Sequence, residues 1–210
     1  MRRRAVLLGV LAASCASPEP TYYTLAPVPG APASGASGSA TPAGGGPRTV
    51  QLRRPGLAGY LDRPEIVRGG GPYQLRVAGT ERWGEPLGDL IGRVTAENLA
   101  ARLPGTTVFT EAGSITADPD TTVELDVQRF DADAAGQVSL LAQVSVQRGR
   151  DWEGTRTRTL RLTATPASGS TADSVAAMSR VLGQLADEVA AMLRDGARTA
   201  TRPVSRRGRR

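Results

Sequence analysis

Histidine and lysine are absent from this 210-residue sequence, and cysteine occurs only once. Without histidine the chain lacks the side chain that most often serves as a general base or metal ligand near neutral pH, and histidine-dependent catalytic triads are excluded. Without lysine, serine–lysine chemistry is excluded as well. A single cysteine excludes an internal disulfide and a thiolate-rich zinc or iron–sulfur site. We therefore expect a protein that is not an enzyme and that has no metal site and no cofactor.

The positive charge of the chain is concentrated at its two ends. The formal net charge is +6, but three arginines lie at residues 2–4 and six more lie between residues 198 and 210. Without these nine arginines the remaining chain has a net charge of −3. A domain that binds nucleic acid carries its positive charge on the fold itself, so we expect no nucleic-acid partner. Residues 197–210 are expected to form a disordered arginine-rich tail, with contact to anionic lipid headgroups as the alternative.

Residues 1–14 have the pattern of an export signal. The arginines precede an apolar run, Ala5 to Ala13, which as a helix would be about 14 Å long, too short for a hydrocarbon core of about 30 Å. Small residues then precede Cys15 in a pattern that resembles a lipobox, although Leu11 lies one position earlier than usual. We therefore expect Cys15 to be acylated, the alternative being an ordinary secretory signal with an incidental cysteine. Ala16 after the cysteine resembles the sorting pattern for the outer membrane rather than the inner membrane.

Composition divides the mature chain into four parts. Residues 15–26 form a lipidated N-terminus with one strand-like run, Tyr22 to Leu25. Residues 27–47 consist largely of proline, glycine, alanine and serine, which cannot bury a core, and are expected to be a flexible segment. Residues 48–196 are long enough for one domain, and the tail follows.

Hydrophobic periodicity in the domain predicts an α+β fold, with an antiparallel β-sheet and two amphipathic helices packed on one face. The first helix is predicted from Pro86 to Leu103. The second begins at a capping box formed by Ser170 and Asp173 and ends at Gly196. Apolar and polar residues alternate in the predicted strands, as expected for half-solvated antiparallel strands. These strands are Thr49–Leu52, Tyr73–Val77 after a glycine turn at 69–71, Val123–Val127, Val138–Val146 and Leu160–Ala164.

Several motifs, taken in order, resemble those of the ABC-type transport auxiliary lipoproteins. They are the lipobox, Tyr22–Leu25, Tyr60–Val67, the run Trp83-x-Glu85-Pro86-Leu87, and Leu103–Pro104 at the end of the first helix. The resemblance implies a membrane-anchored periplasmic lipoprotein that serves an intermembrane lipid transport system without catalysing a reaction. Its implied partners are a periplasm-spanning protein with mammalian-cell-entry (MCE) domains and an inner-membrane permease. The alternative is a structural lipoprotein of envelope assembly, and the sequence also allows a homo-oligomer.

Two of these motifs contain candidate partner-binding residues, namely Tyr60, Asp62, Arg63, Pro64, Trp83 and Glu85. In the functional interpretation, the first motif is a docking loop. In the structural interpretation, which we favour, Pro64 fixes a turn at the start of a strand and Ile66 packs inside. Trp83 either anchors an interface, as tryptophan often does, or covers the end of the first helix.

Two pairs of aspartates are candidate calcium ligands. Asp118 with Asp120, and Asp131 with Asp133, lack the glycine and the distal glutamate of a calcium-binding loop. Aspartates at such spacing commonly form turns, so we predict turns at both places and no metal.

Overall fold

The computed structural model of this chain describes residues 18–30, 46–71, 73–114, 117–149 and 155–200. The predicted signal peptide, Cys15, residues 31–45 of the predicted flexible segment and residues 201–210 of the tail lie outside these ranges. The predictions for those parts of the chain stay predictions.

In the described part of the chain, nine strands form one sheet, and two helices pack against it. The first five strands are β1 (Thr21–Tyr23), β2 (Thr49–Leu52), β3 (Gly56–Leu57), β4 (Glu65–Gly71) and β5 (Gln74–Trp83). Helix α1 (Leu87–Arg102) is followed by β6 (Thr107–Thr110), β7 (Thr121–Ala132), β8 (Val138–Arg148) and β9 (Arg156–Ala164). Helix α2 (Thr171–Ala200) completes the fold. The α+β class is confirmed.

Strand β7 lies at the centre of the sheet. On one side it pairs antiparallel with β8, which pairs antiparallel with β9. On the other side β2, β3 and β4 follow one another along β7, each parallel to it. Beyond them, β6 is parallel to β2, β5 is antiparallel to β4, and β1 is parallel to β5. The sheet is therefore mixed, and the prediction of a purely antiparallel sheet is wrong for the five of its eight strand pairings that are parallel. Alternation indicates which side chains are buried, but it does not specify the direction of the neighbouring strand.

One face of the sheet is buried beneath both helices. Along β8, residues Val138, Leu140, Ala142, Val144 and Val146 are buried, and the residues between them are not. The predicted apolar stripes of both helices face the same core. Each fully buried valine or leucine side chain contributes about 1.5–3 kcal/mol relative to an exposed one. Helix α1 is also covered on a second side, where Pro55 packs close to Gly92.

Helix α2 begins as predicted and extends further than predicted. The Ser170 hydroxyl accepts a hydrogen bond from the Asp173 backbone N–H at 3.1 Å, so the N-cap is confirmed. The Asp173 carboxylate accepts hydrogen bonds from the hydroxyls of Ser168 and Ser170, and these bonds lower the pKa of Asp173. The predicted end at Gly196 is wrong, because the helix continues to Ala200. A glycine within a helix costs only about 0.5–1 kcal/mol relative to alanine, which does not by itself end a helix.

The hairpin formed by β4 and β5 has an unexpected orientation. The strand predicted at Tyr73–Val77 is present from residue 74, but Tyr73, Leu75 and Val77 are exposed. Arg76 pairs in register with Arg68, whose guanidinium bonds Thr171 at the start of α2. Leu75 and Val77 therefore point to the face opposite the helices.

The glycines at 69–71 do not form the turn that was predicted for them. They belong to β4, and the reversal of the chain follows residue 71. A Cβ atom on Gly70 would lie 3.0 Å from Cγ of Arg76. The Arg76 side chain crosses over this point of the strand, so a larger residue at position 70 would require Arg76 to shift.

Residues 25–30 form a strap that crosses α1 and α2. Leu25 is 2% exposed. The backbone N–H of Val28 donates to Oδ1 of Asn98 at 2.8 Å, and its carbonyl accepts from Arg102 at 3.1 Å. The backbone N–H of Ala26 donates to the Ser179 hydroxyl at 3.1 Å. Residues 27–30, the start of the predicted flexible segment, therefore belong to the fold.

Candidate docking surface

The two motifs that contain the candidate residues meet at one corner of the sheet. Residues 60–64 form a turn, hereafter the docking turn, that leads directly into β4. Glu65 pairs in register with Arg82, and the Trp83 backbone N–H donates to the carbonyl of Pro64 at 2.8 Å. Because β4 and β5 are antiparallel, the start of one strand and the end of the other coincide. The structure thus brings the docking turn next to the segment that joins β5 to α1.

The docking turn is exposed at its tip and fixed at its base. Asp62, Arg63 and Pro64 are exposed, whereas Leu61 is buried with 2% exposure. The Leu61 N–H donates to the carbonyl of Ala58 at 2.8 Å, and the Arg63 N–H donates to the carbonyl of Leu61 at 2.9 Å. The turn therefore presents a carboxylate, a guanidinium group and a proline ring on a backbone that is already ordered.

Trp83 lies in the hydrophobic core and is only 4% exposed. Its backbone holds Pro64, and the next N–H, from Gly84, donates to the carbonyl of Tyr23 at 2.8 Å. Of the two roles considered for Trp83, the structure places it in packing near the start of α1. The indole supports the corner from within and is not part of its surface.

Tyr60 joins the docking turn to the opposite face of the sheet. Its hydroxyl donates to Oδ2 of Asp131 at 2.7 Å, and Nε of Arg129 lies 2.9 Å from Oδ1 of the same carboxylate. Asp131 is 3% exposed. Burial of the phenol, together with its hydrogen bond to the carboxylate, raises the pKa of Tyr60 well above its ordinary value. A buried carboxylate with two partners is a stable arrangement, and it would become costly if either partner were lost.

Asp131 was assigned to a turn by the sequence, and this assignment is wrong. Asp133 does form the predicted turn, because its carboxylate accepts from the backbone N–H groups of Ala135 and Gln137, at 2.9 Å each. Asp131 instead lies within β7, beyond an irregularity between Val127 and Arg129 that shifts the register with β8. Asp120 does not close a local turn through its side chain: its carboxylate accepts from the backbone N–H groups at residues 48 and 49, at the start of β2.

Glu85 lies on a second part of the corner, in a cleft of about 320 Å³ beside α1. Its carboxylate pairs with Arg93 at 2.8 Å, and this bond raises the pKa of the Arg93 guanidinium. Arg54 pairs with Asp89 at 3.2 Å, and Arg53 contacts Glu111 and Glu124. Exposed pairs of this kind contribute about 0–1 kcal/mol each to stability. Their main effect is a surface on which positive and negative groups alternate, and such surfaces favour selective recognition of a polar partner.

Within the residues that the structure describes, no three histidine, cysteine, aspartate or glutamate side chains are grouped so that they could hold a metal ion. Across the same ranges, neither helix combines the length and the apolar composition needed to cross a bilayer.

Comparison with known proteins shows one family and two solved structures with the same fold. Residues 23–190 match the family model described as the ABC-type transport auxiliary lipoprotein component. A crystal structure of an uncharacterised protein superposes with a TM-score of 0.67 at 17% identity, covering 83% of this chain and 99% of that one. A Xanthomonas campestris protein of the DUF330 family gives a TM-score of 0.64 at 20% identity, with coverages of 86% and 99%. At such identities the structures show a common fold only. No protein with a curated description matches this sequence.

Proposed function

Because the chain belongs to the ABC-type transport auxiliary lipoproteins, we propose that it is a non-catalytic docking component of an intermembrane lipid transport system. The description of this family names an auxiliary role in transport and names no reaction. The match over residues 23–190 is the observation that carries this proposal, since it spans both helices' packing faces and the docking turn. The partners we propose are an MCE-domain protein that spans the periplasm and an inner-membrane permease.

The proposed location is the periplasmic side of the outer membrane. The export signal, the lipobox-like residues before Cys15 and the absence of aspartate at position 16 support it. A protein that carries two or three acyl chains remains on the membrane, whereas one chain gives only marginal binding. Acylated Cys15 would therefore hold the domain on one membrane surface.

The proposed contact with the MCE-domain protein is the docking turn together with Glu85. Asp62 and Arg63 are exposed, carry opposite charges and stand on a backbone that is held by Leu61 and Pro64. Binding through an ordered turn costs less conformational entropy than binding through a mobile loop. The neighbouring Glu85–Arg93 pair extends the same charged surface.

The docking proposal is tested by affinity capture of the full lipidated chain from membranes. We expect wild-type protein to retain the MCE-domain protein, and the double variant Asp62→Ala/Arg63→Ala to weaken capture about tenfold, which corresponds to about 1.4 kcal/mol. Arg161→Ala is the matched control, because Arg161 is an exposed arginine on β9 at the other edge of the sheet. Trp83 is left unchanged, since its replacement would open the core. Equal capture by the wild type and the folded double variant would refute the docking site.

The proposed membrane anchor and the proposed transport system are tested separately. Mass spectrometry of the mature N-terminus is expected to find acylated Cys15, and Cys15→Ser should release the protein from the membrane fraction. Genes for an MCE-domain protein and a permease are expected beside the gene for this chain. Capture of envelope-assembly proteins without any MCE-domain protein would favour the structural alternative.

A further inference from the structure

The connection between the proposed lipid anchor and the fold is short. Strand β1 starts at Thr21 and is already paired with β5, so only residues 16–20 separate Cys15 from the folded domain. Fully extended, the six Cα–Cα steps from Cys15 to Thr21 span at most about 22 Å at roughly 3.3–3.6 Å per residue. Residues 31–45 do not lengthen this connection, because they follow the strap. The domain must therefore lie close to the membrane surface that holds the anchor.

The direction of this connection follows from the pairing of β1. Thr21 lies opposite Glu81, and Tyr23 lies opposite Trp83, in parallel register. The residues before Thr21 therefore leave β1 towards the lower-numbered residues of β5, which lead to the β4–β5 hairpin. From Glu81 to Leu75 along β5 is about 20 Å at roughly 3.3 Å per residue. The linker is thus long enough to bring Cys15 level with the hairpin, and not much further.

An apolar patch is exposed at this hairpin. Tyr73 is fully exposed, Leu75 is 50% exposed and Val77 is 45% exposed; we call these three residues the hairpin patch. Together with Tyr22 of β1, they are the large hydrophobic side chains that are exposed in the described part of the chain. Isolated apolar residues on a surface are common, but three of these four lie on the two strands next to the anchor, and Tyr73 immediately precedes β5. Packing of the core does not explain this clustering.

We propose that the hairpin patch is a second membrane-contact site, at which Tyr73, Leu75 and Val77 enter the interface of the bilayer that holds Cys15. The inference rests on the proposed acylation of Cys15. Tyrosine is enriched at membrane interfaces, where its ring meets the apolar layer and its hydroxyl remains hydrated. Leu75 and Val77, which point to the same face of the strand, would bury their side chains in the same interface.

Membrane contact at the hairpin would orient the docking turn. The turn precedes Glu65 at one end of β4, and the hairpin follows Gly71 at the other end. These ends are about 20 Å apart at roughly 3.3 Å per residue. With the hairpin patch in the membrane, the docking turn is held away from the bilayer and faces the periplasm. The acyl anchor by itself would leave the domain free to rotate.

The experiment places a fluorescent label beside the patch and measures its contact with lipid. When Cys15 is acylated, Gln74→Cys provides the single free thiol and leaves the three patch side chains unchanged. The lipidated protein is reconstituted in vesicles of phosphatidylethanolamine and phosphatidylglycerol that contain a spin-labelled lipid. Thr159→Cys on β9 is the matched control, because it is exposed at the other edge of the sheet. We expect several-fold stronger quenching and a blue-shifted emission at position 74.

A second variant separates the patch from the effect of the tether. In the Gln74→Cys protein, Tyr73→Ser, Leu75→Ser and Val77→Ser together should reduce quenching to the level at position 159, while the protein still floats with the vesicles. Undiminished quenching in this variant would overturn the inference. So would a blue shift without quenching by lipid, since it would indicate a second copy or another protein on the patch. Acylated protein that floats but shows equal quenching at both positions refutes the hairpin contact alone, whereas unmodified Cys15 refutes the proposed function as well.

Discussion

At the scale of single residues, Tyr60 is the side chain that ties the docking turn to the sheet. Its hydroxyl reaches a carboxylate that is 71 positions away in sequence and almost completely buried. The motif at residues 60–67 indicates Tyr60 as a candidate, but nothing in the sequence indicates its partner, because the local pattern around Asp131 is typical of a turn. The irregularity after Val127 shifts the alternation of β7, so the face on which Asp131 lies could not be deduced by counting along the strand.

Removing the Tyr60 hydroxyl should destabilise the fold. Tyr60→Phe retains the ring but deletes the 2.7 Å hydrogen bond to Asp131. A buried acceptor that loses one partner costs about 1–3 kcal/mol, so the free energy of unfolding in urea should fall by that amount. Tyr22→Phe, at a tyrosine that is 61% exposed, is the control and should change stability by less than about 0.5 kcal/mol. Equal stabilities of the two variants would contradict the contact.

The same contact predicts a response to alkaline pH. Burial, followed by the hydrogen bond to Asp131, raises the pKa of Tyr60 above its ordinary value of 10.0. The folded state thus favours the neutral phenol, and this contribution to stability is complete below pH 10.0 and is lost as the pH rises further. The unfolding free energy of the wild type should therefore decrease more steeply above this pH than that of Tyr60→Phe. Parallel curves would show that Tyr60 ionises as freely in the folded state as in the unfolded chain.

At the scale of elements, the sequence predicts the helices and strands whose boundaries and pairing depend on nearby residues. Helix α1 extends from Leu87 to Arg102 where Pro86 to Leu103 was expected, because proline fixes the start and Leu103–Pro104 the end. Strands β7, β8 and β9 follow one another with short connections, so their antiparallel pairing is consistent with alternation. Strands β2, β3 and β4 pair with β7 in parallel across long stretches of sequence, and no periodicity encodes that choice.

The strap is the element that is least predictable from composition. Its sequence from Leu25 to Gly30 contains two prolines and resembles the flexible segment that follows. The two helices beneath the strap order it, because Asn98 of α1 and Ser179 of α2 accept hydrogen bonds from its backbone. Acceptors from distant helices cannot be identified from the composition of the strap itself.

Replacement of Asn98 should release the strap. Asn98→Ala removes the carbonyl that accepts from Val28 at 2.8 Å, and the cost of an unsatisfied buried group is about 1–3 kcal/mol. We expect this loss in urea unfolding, together with faster proteolysis within residues 25–30. Gln184→Ala is the control, since Gln184 is exposed on α2. Proteolysis at the wild-type rate, with unchanged stability, would show that Asn98 does not hold the strap.

At the scale of the whole molecule, the strap and β1 place the start of the domain earlier in the sequence than composition predicts. Composition placed the boundary near residue 48, after the segment rich in glycine and proline. The structure instead adds β1 to the edge of the sheet and buries Leu25 in the core. Gly30, the last described residue before 31–45, lies beside Arg102, and Gly46, the first described residue after it, lies beside Thr106. Both flanking residues therefore lie at the same end of α1, and residues 31–45 come after β1 in sequence, so they do not connect the anchor to the domain.

Truncation distinguishes these two boundaries. A chain that begins at Pro18 keeps β1 and the strap and should unfold like the full mature protein. A chain that begins at Gly46 loses the burial of Leu25, worth about 1.5–3 kcal/mol, together with the strap hydrogen bonds, each worth about 0.5–1.5 kcal/mol. We expect its unfolding free energy to fall by at least about 3 kcal/mol, the sum of the smaller of these contributions.

Internal deletion provides the matched control for the truncation. Removing residues 33–43 deletes part of the predicted flexible segment but leaves the strap and β2 joined. A change in loop length of this size alters the free energy of unfolding by less than about 1 kcal/mol. Calorimetry and urea unfolding of the three chains measure the comparison. If the chain from Gly46 were as stable as the chain from Pro18, the fold would begin near β2 after all. The anchor would then be free of the hairpin, and the contact between the hairpin patch and the membrane would lose its geometric basis.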